Sequence, residues 1–213
     1  MIYIVKHKEY ENPVPKGYKE LYVGEMYDGK GDNINHLNRY LNELTAYYDL
    51  WKNSKDKNIG ICHYRRFFAE NGEILTSKRV TDILKTNDII VTTKFKDPAT
   101  LYWFLRADLV PTEYRLYDKY IGILDNAVPG FREYMIRQNE FYPREMIIAN
   151  RKVFDALCEE LFEALIPAAE LYDKEDSSSG TNPRLLGFIA ERFISYLIVK
   201  NGLKAYEMDF IEV

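Results

Sequence analysis

Short apolar runs separated by polar segments predict alternating strands and helices in the first half of the chain. Four such runs, at residues 2–5, 19–23, 59–62 and 88–92, have the length and the bounding turn residues of β-strands. A helix beginning at Asp32 would lie between the second and third runs, and a helix over residues 77–85 between the third and fourth. The order β–β–α–β–α–β predicts an α/β fold with parallel strands and crossover helices.

The helix expected after Asp32 has one apolar and one polar face. Its apolar positions recur every three or four residues, at Ile34, Leu37, Leu41, Leu44 and Tyr48. The Asp32 carboxylate would cap the helix by accepting hydrogen bonds from first-turn amides. Its polar face carries short side chains, at Asn35, Asn38, Asn42 and Thr45. Short amides of this kind suit either a shared hydrogen-bond network or the hydroxyls of a ligand.

The second half of the chain is predicted to be mostly helical. Helical spacing of apolar residues recurs in five segments, at residues 98–109, 113–124, 132–137, 152–166 and 184–200. Residues 146–149 and 204–211 predict two further strands. Residues 173–183 are polar and rich in serine, and they predict a mobile loop.

Composition favours one compact domain over residues 1–213 and narrows the class of protein. A chain of 213 residues with 46% hydrophobic residues can bury a substantial core. The net charge of −4 argues against a nucleic-acid-binding domain. We expect a cytoplasmic protein for three reasons. The first residues predict a strand rather than a signal peptide, and no apolar run approaches the roughly 20 residues of a membrane span. In addition, two cysteines, Cys62 and Cys158, are too few for a disulfide framework.

The third predicted strand runs directly into His63, Tyr64, Arg65 and Arg66. Ligands of α/β proteins bind just beyond the carboxyl ends of such strands. Because guanidinium groups match phosphate oxygens bidentately, two consecutive arginines at that edge suggest an anionic substrate such as a diphosphate. The alternative is that both arginines are surface residues paired with nearby carboxylates.

Two other polar groups interrupt predicted elements. His7, between Lys6 and Lys8, follows the first strand and would reach the same edge of the sheet, unless the three residues form only a solvated turn. Arg184 and Glu191 share one face of the last long helix, where Glu191 has apolar neighbours. A carboxylate in that setting must pair, take up a proton or serve a substrate. Glu191 is therefore either a structural partner of Arg184 or of the 63–66 segment, or a general base.

The order of these motifs resembles a bacterial family of unknown-function domains. The resemblance rests on GDNIN at residues 31–35, LNELTAYYDLWKN at 41–53, IGICHYRRFF at 59–68 and RLLGFIAERF at 184–193. The family is common in capsular and exopolysaccharide gene clusters and is regarded as glycosyltransferase-like. The resemblance implies a GT-A-like, nucleotide-sugar-binding mixed sheet flanked by helices, and the transfer of a sugar to a growing glycan in surface-polysaccharide synthesis.

The resemblance also implies partners. The donor would be a nucleotide diphosphate sugar, with UDP favoured, and the acceptor a glycan or a lipid-linked intermediate. Nucleic acid is not expected as a partner. Two other functions stay open: a non-catalytic nucleotide- or sugar-binding module with the same fold, and a nucleotide-sugar hydrolase.

Site residues follow from the matched positions. Donor contacts are expected from His7, Asp32, Asn33, Asn38, Arg65, Arg66 and Arg184. Glu191 and His63 are the candidate catalytic side chains. Family members tend to carry asparagine where this chain has Glu145, so donor choice or activity is expected to differ if that residue contacts the donor sugar.

No metal or other cofactor is expected. Many GT-A enzymes hold a divalent cation with an Asp-x-Asp motif, which this chain lacks. Mg²⁺ and Mn²⁺ favour carboxylate oxygens, which residues 63–66 do not supply. Arg65 and Arg66 would stabilise the departing diphosphate in place of a metal. The alternative is a metal site formed by His63 and a carboxylate distant in sequence.

An aromatic run suggests peripheral membrane contact. Residues 101–105, Leu-Tyr-Trp-Phe-Leu, precede Arg106. Aromatic and basic side chains suit the headgroup boundary of a bilayer, which a lipid-linked acceptor would require. The alternative is that Trp103 and Phe104 are buried in the core.

Overall fold

A mixed β-sheet runs through the centre of the fold in a computed structural model that describes residues 1–11, 14–175 and 182–213. Its strands are β1 (Ile2–Lys6), β2 (Tyr18–Tyr22), β3 (Asn58–His63), β4 (Arg66–Glu70), β5 (Glu73–Ile74), β6 (Ile89–Thr92), β9 (Ile147–Asn150), β10 (Ala205–Met208) and β11 (Phe210–Glu212). The main path is β10-β6-β9-β3-β1-β2, with β4 joining β3 to β11 and β5. A separate two-stranded ribbon pairs β7 (Phe95–Lys96) with β8 (Glu140–Phe141).

The predicted strands β1, β2, β3 and β6 run in the same direction, but β6 is not the direct neighbour of β3. β1 pairs in parallel with β2 and β3, so that Val5 lies beside His63. β9 enters antiparallel between β3 and β6, which the order of elements in the first half did not suggest. The mixed sheet is confirmed, and the four strands predicted in the first half run in the same direction, because β3 and β6 are both antiparallel to β9. The unpredicted strand β4 runs antiparallel to β3.

Both faces of the sheet are covered, because side chains alternate along each strand. In β3, Ile59 and Ile61 join the larger core, and Cys62 joins the smaller one on the opposite face. Gly60 also faces the smaller core. A Cβ atom there would lie 2.9 Å from Ile2 Cγ1 and 3.0 Å from Ile148 Cγ1, so the strands pack too closely for a larger residue.

Helices supply the rest of the core. They are α1 (Asn38–Leu41), α2 (Leu44–Asn53), α3 (Ser77–Ile83), α4 (Leu101–Ala107), α5 (Tyr114–Ala127), α6 (Phe131–Arg137), α7 (Arg151–Glu175) and α8 (Leu185–Lys200). Apolar residues of α1, α2, α5, α7 and α8 build the larger core, and α3 covers the other face with Val80 and Ile83. The expected helical second half is confirmed. Within the described residues, no helix is long and apolar enough to cross a membrane.

The long helix predicted from Asp32 is broken. A 3₁₀ turn, Asn35–Leu37, leads into α1, and Asn42 then adopts φ 48° and ψ −125° before α2 begins. Its carbonyl accepts hydrogen bonds from Asn38 Nδ2 at 2.8 Å and from the Thr45 hydroxyl at 2.9 Å. The polar stripe therefore satisfies the backbone of a helix break, which periodicity alone does not reveal.

The predicted cap at Asp32 is wrong. Ile34 precedes the 3₁₀ turn, and no side chain caps it. Asp32 is exposed, and its carboxylate accepts a long hydrogen bond of 3.4 Å from the Tyr48 hydroxyl. The neighbouring Asn33 forms a local turn instead, because its side-chain oxygen accepts a hydrogen bond from the Asn35 amide at 3.1 Å.

Several other boundaries differ from the sequence prediction. Residues 66–70 form strand β4, which was not predicted, and the predicted strand over residues 204–211 is split at Asp209. α4 is shorter than the predicted helix over residues 98–109. α7 continues to Glu175, so residues 173–175 are helical rather than part of a loop, while residues 176–181 of that predicted loop lie outside the described residues.

Candidate functional site

Two adjoining cavities open at the carboxyl ends of β1 and β3. The larger, of about 690 Å³, is lined by Asn35, Asn38 and Asn42 among others and is called the amide cavity. The smaller, of about 240 Å³, is lined by Arg65, Arg66, Arg144 and Arg184 among others and is called the arginine cavity. His7, Asn42, Glu43 and Arg184 line both, so the two cavities form one continuous polar site.

The fold brings His7 and the 63–66 segment together. β3 ends at His63, and the chain turns through Tyr64 and Arg65 into β4. Because β1 lies parallel beside β3, His7 follows β1 at the same edge, where its ring packs edge-on against Tyr64 at 5.2 Å. The predicted position of both groups at the carboxyl end of the strands is confirmed. Lys6 is different, because it is buried and ion-paired with Glu20 at 2.9 Å.

The two arginines of the turn have different surroundings. Arg66 Nε donates to the exposed Glu212 carboxylate at 2.7 Å, and this bond lowers the pKa of Glu212. Arg65 is exposed, with its guanidinium carbon 5.1 Å from the centre of the Tyr64 ring. Both line the arginine cavity. The surface ion pair considered from the sequence is therefore present for Arg66, and it coexists with a position at the site.

Arg184 and Asn38 both line the amide cavity. Arg184 is exposed at the start of α8, with its guanidinium carbon 5.7 Å from the centre of the Phe188 ring. Asn38 uses its side-chain nitrogen within the protein, for Asn42 and Thr45. Asp32 and Asn33 are not among the residues that line either cavity. A donor contact from these two residues stays a prediction that the cavities do not support.

His63 lies among carboxylates that are distant in sequence. Its Nδ1 atom is 3.9 Å from Glu43 Oε1, and its side chain is 12% exposed. Its Nε2 atom is buried and makes no hydrogen bond of good geometry with the described residues. Burial lowers the pKa of His63 because it disfavours the imidazolium, although the Glu43 carboxylate opposes that shift. His63 is therefore neutral at neutral pH.

Glu145 occupies a strained and buried position beside this histidine. It adopts φ 52° directly after Arg144 at φ 77°, a region that side chains other than asparagine and aspartate seldom enter. It is 6% exposed. Burial, followed by the nearby Glu43 and Glu191 carboxylates, raises the pKa of Glu145 well above its ordinary value. The asparagine that the family resemblance leads us to expect here would fit this backbone with less strain and no charge.

Glu191 reaches the arginine cavity with partners that the sequence did not suggest. Its carboxylate accepts a hydrogen bond from the Arg144 backbone amide at 3.0 Å and pairs with the neighbouring Arg192 at 3.0 Å. The structural alternative, an ion pair between Glu191 and Arg184 or residues 63–66, is therefore wrong about the partner, which is Arg192. The side chain of Glu191 is 19% exposed, so a small molecule in the cavity can contact it.

Sequence reasoning left several cavity-lining residues out of the predicted site. Glu43 and Arg144 line the arginine cavity, and Arg192 pairs with the Glu191 carboxylate at 3.0 Å. Glu43 lies in a motif that the resemblance rests on, which was the available signal. Arg144 and Arg192 had none, because their contacts depend on how α8 packs against the segment before β9. Across residues 1–11, 14–175 and 182–213, no group of three or more histidine, cysteine, aspartate or glutamate side chains is arranged to hold a metal ion.

Comparisons with known proteins agree on the fold. A solved structure described as the WbbM bifunctional glycosyltransferase in its apo form superposes with a TM-score of 0.79 at 23% identity. The superposition covers all of this chain and 45% of the other, so the chain spans less than half the length of that protein. No curated protein sequence matches significantly. The family model described as a domain of unknown function (DUF4422) matches residues 1–202, and the chain therefore belongs to that family.

Proposed function

We propose that this protein transfers a sugar from a nucleotide diphosphate sugar to a glycan or lipid-linked acceptor in surface-polysaccharide synthesis. One observation carries the proposal: the Arg65, Arg66 and Arg184 side chains line the same small cavity as the Glu191 carboxylate. Cations for a leaving diphosphate and a carboxylate for an incoming hydroxyl are the two parts that a transfer with inversion at the anomeric carbon requires. The fold shared with a glycosyltransferase supports the same conclusion.

In this proposal the donor spans both cavities. The diphosphate lies in the arginine cavity against Arg65, Arg66 and Arg184, and the nucleoside, which we take to be uridine, lies in the amide cavity. The volume of the amide cavity falls within the range of roughly 300–1,000 Å³ that is typical of small-molecule sites. His7 lines both cavities and would contact the donor where they meet.

The transfer makes one bond and breaks another. The oxygen of an acceptor hydroxyl bonds to the anomeric carbon, and the bond from that carbon to the diphosphate oxygen breaks. Glu191 takes the hydroxyl proton, and the arginines stabilise the charge that develops on the diphosphate. His63, neutral and close to Glu43, is the second candidate for holding a proton during the reaction. No metal takes part in this scheme, and we place the reaction in the cytoplasm at the inner face of the membrane.

Calorimetric titration with a panel of UDP- and GDP-sugars tests the proposal, followed by nucleotide release with and without acceptor glycosides. A transferase binds a nucleotide sugar and releases nucleotide faster when acceptor is present. Release that does not depend on acceptor would indicate a hydrolase, and binding without release would indicate a binding module. Absence of binding to every nucleotide sugar would refute the transferase, the hydrolase and a nucleotide-binding module.

A further inference from the structure

A third cavity, of about 450 Å³, adjoins the arginine cavity. It shares Arg144, Phe188 and Glu191 with that cavity, so the proposed base stands at the boundary between the two. Its apolar wall consists of Phe95, Leu105, Leu109, Phe141, Phe188 and Phe210. We call it the aromatic groove, and we infer that it binds the sugar ring of the acceptor. This inference rests on the proposed function.

The chemistry of the aromatic groove fits a saccharide better than a lipid chain. A sugar ring has an apolar C–H face that packs on aromatic rings and an edge of hydroxyls that needs polar partners. The groove offers both, because Lys94, Asp108 and Arg192 line it together with the phenylalanines. A lipid chain would remove the exposed Lys94 and Asp108 side chains from water without offering them a hydrogen-bond partner, which is costly.

Phe95 is an exposed aromatic side chain whose position is already fixed, so a ligand can pack against it without ordering it first. It lies in the short strand β7 and is 50% exposed, which is unusual for so large an apolar side chain. Its ring packs edge-on against Phe141 at 6.0 Å between centroids, so its position is held before any ligand binds. A sugar ring that covers Phe95 would remove exposed apolar area from water.

Arg192 connects the groove to the proposed base. It is 6% exposed, and its guanidinium carbon lies 3.9 Å from the centre of the Phe141 ring. The same side chain donates to the Phe188 carbonyl and to the Glu191 carboxylate, each at 3.0 Å. Arg192 is therefore a positioning residue: it holds the wall of the groove and the carboxylate in one arrangement, so that an acceptor on the phenylalanines presents a hydroxyl to Glu191.

Saturation-transfer NMR with methyl β-D-galactopyranoside, methyl β-D-glucopyranoside and methyl α-D-mannopyranoside tests the inference without relying on turnover. We expect ring C–H protons of at least one glycoside to receive saturation from the protein. Phe95→Ala should raise the dissociation constant for the glycoside about fivefold, which corresponds to the free energy of one aromatic contact. Asp108→Ala, at an exposed residue of the same groove, should also weaken glycoside binding, because a polar partner for the sugar hydroxyls is lost. Ile136→Ala is the control, because Ile136 is 47% exposed and lies outside the groove.

The outcomes separate this inference from the proposed function. Nucleotide-sugar affinity should stay unchanged in Phe95→Ala, because Phe95 does not line the amide or arginine cavity. If the parent protein binds a nucleotide sugar but Phe95→Ala and Asp108→Ala leave glycoside binding intact, the groove assignment is wrong and the proposed function stands. Decyl phosphate that displaces the glycosides and depends on Phe95 would identify a lipid site and overturn the assignment to a sugar. Failure of the parent to bind any nucleotide sugar would overturn both.

Discussion

The backbone amide of Arg144 donates a hydrogen bond to the Glu191 carboxylate at 3.0 Å. This bond joins α8 to the segment just before β9, in which Arg144 and Glu145 both adopt positive φ. The Glu191 carboxylate, which we propose as the base, is thus oriented by the strained turn that also contains the buried Glu145. Strain of this kind persists only where the surrounding structure determines it, and it concentrates at functional sites.

We expect Glu191→Gln to lower kcat by about 10²- to 10⁴-fold, the usual contribution of a general base. Glutamine keeps the shape of the side chain and its acceptor for the Arg144 amide, so donor affinity should change little. Tm should fall to a limited extent, because the buried Arg192 loses its carboxylate partner. Steady-state kinetics, calorimetry and thermal melting check this, with Glu163→Gln at an exposed position of α7 as the control. A Glu191→Gln variant that melts far below the parent and yet transfers sugar normally when cold would assign Glu191 to the fold.

We expect Arg66→Ala to weaken UDP-sugar binding by about ten- to a hundredfold, because a charge-assisted contact with the diphosphate is lost. Glu212→Gln removes the exposed ion-pair partner of Arg66 and should leave donor affinity unchanged. Arg79→Ala, which breaks an ion pair with Glu70 outside both cavities, is the control for loss of a surface arginine. Unchanged affinity in both Arg65→Ala and Arg66→Ala would contradict diphosphate binding by these residues.

Glu145 should make stability depend on pH in a defined direction. Its pKa in the folded protein lies well above the ordinary value of 4.5, so the folded state holds a proton that the unfolded state has lost. Stability from this group is therefore complete below pH 4.5 and declines as the pH rises toward the folded pKa. Glu145→Gln stays neutral throughout. We expect its Tm to exceed that of the parent by a margin that grows from pH 5 to pH 8.

The same pH series contains an opposite contribution from His63. Its pKa is lowered by burial, so its contribution to stability increases as the pH rises toward 6.5 and then becomes constant. The comparison with Glu145→Gln cancels this contribution to first order, and data above pH 7 are free of it. Glu73→Gln, at an exposed position of β5, is the control. A margin in Tm that does not vary with pH would show that Glu145 titrates normally.

Donor binding is expected to survive chelation. The cavities combine arginines with carboxylates, and we assign the charge of the diphosphate to the arginines. Calorimetric titration of a UDP-sugar with excess EDTA should give the same dissociation constant as titration with Mn²⁺. A large gain in affinity with Mn²⁺ that Glu43→Gln or His63→Ala abolishes would instead establish the metal site that those two residues could share.

Contact with a membrane is predicted at Trp103. The side chain is 59% exposed on α4, so the alternative that it is buried in the core is wrong, whereas Phe104 is half-buried. We expect weak flotation with anionic vesicles that Trp103→Ser reduces, because an exposed indole partitions to the headgroup boundary. Val199→Ser, at a similarly exposed apolar residue of α8, is the control. Equal flotation of parent and Trp103→Ser would locate any membrane contact elsewhere.

Local patterns in the sequence predicted most of the individual elements and one edge of the site. A buried strand with both faces covered is apolar throughout, so residues 59–62 were recognisable as β3, and the polar residues that follow had to lie at its carboxyl end. Helical periodicity likewise identified α5, α7 and α8. These predictions succeed because backbone geometry imposes a period on neighbouring side chains, and that period is visible without any knowledge of the rest of the chain.

Tertiary structure decided the remainder, because it depends on residues that are distant in sequence. The antiparallel entry of β9 beside β3 and the break at Asn42, which packs against Gly187 in α8, leave no periodic signal. Glu43 and His63 are 20 positions apart and meet only when α2 is packed beside β3. The pairing of Glu191 with Arg192 and the Arg144 amide, rather than with Arg184, depends on the orientation of α8 over a strained turn. Sequence thus determined which residues are suited to the chemistry, and packing determined which of them share a cavity.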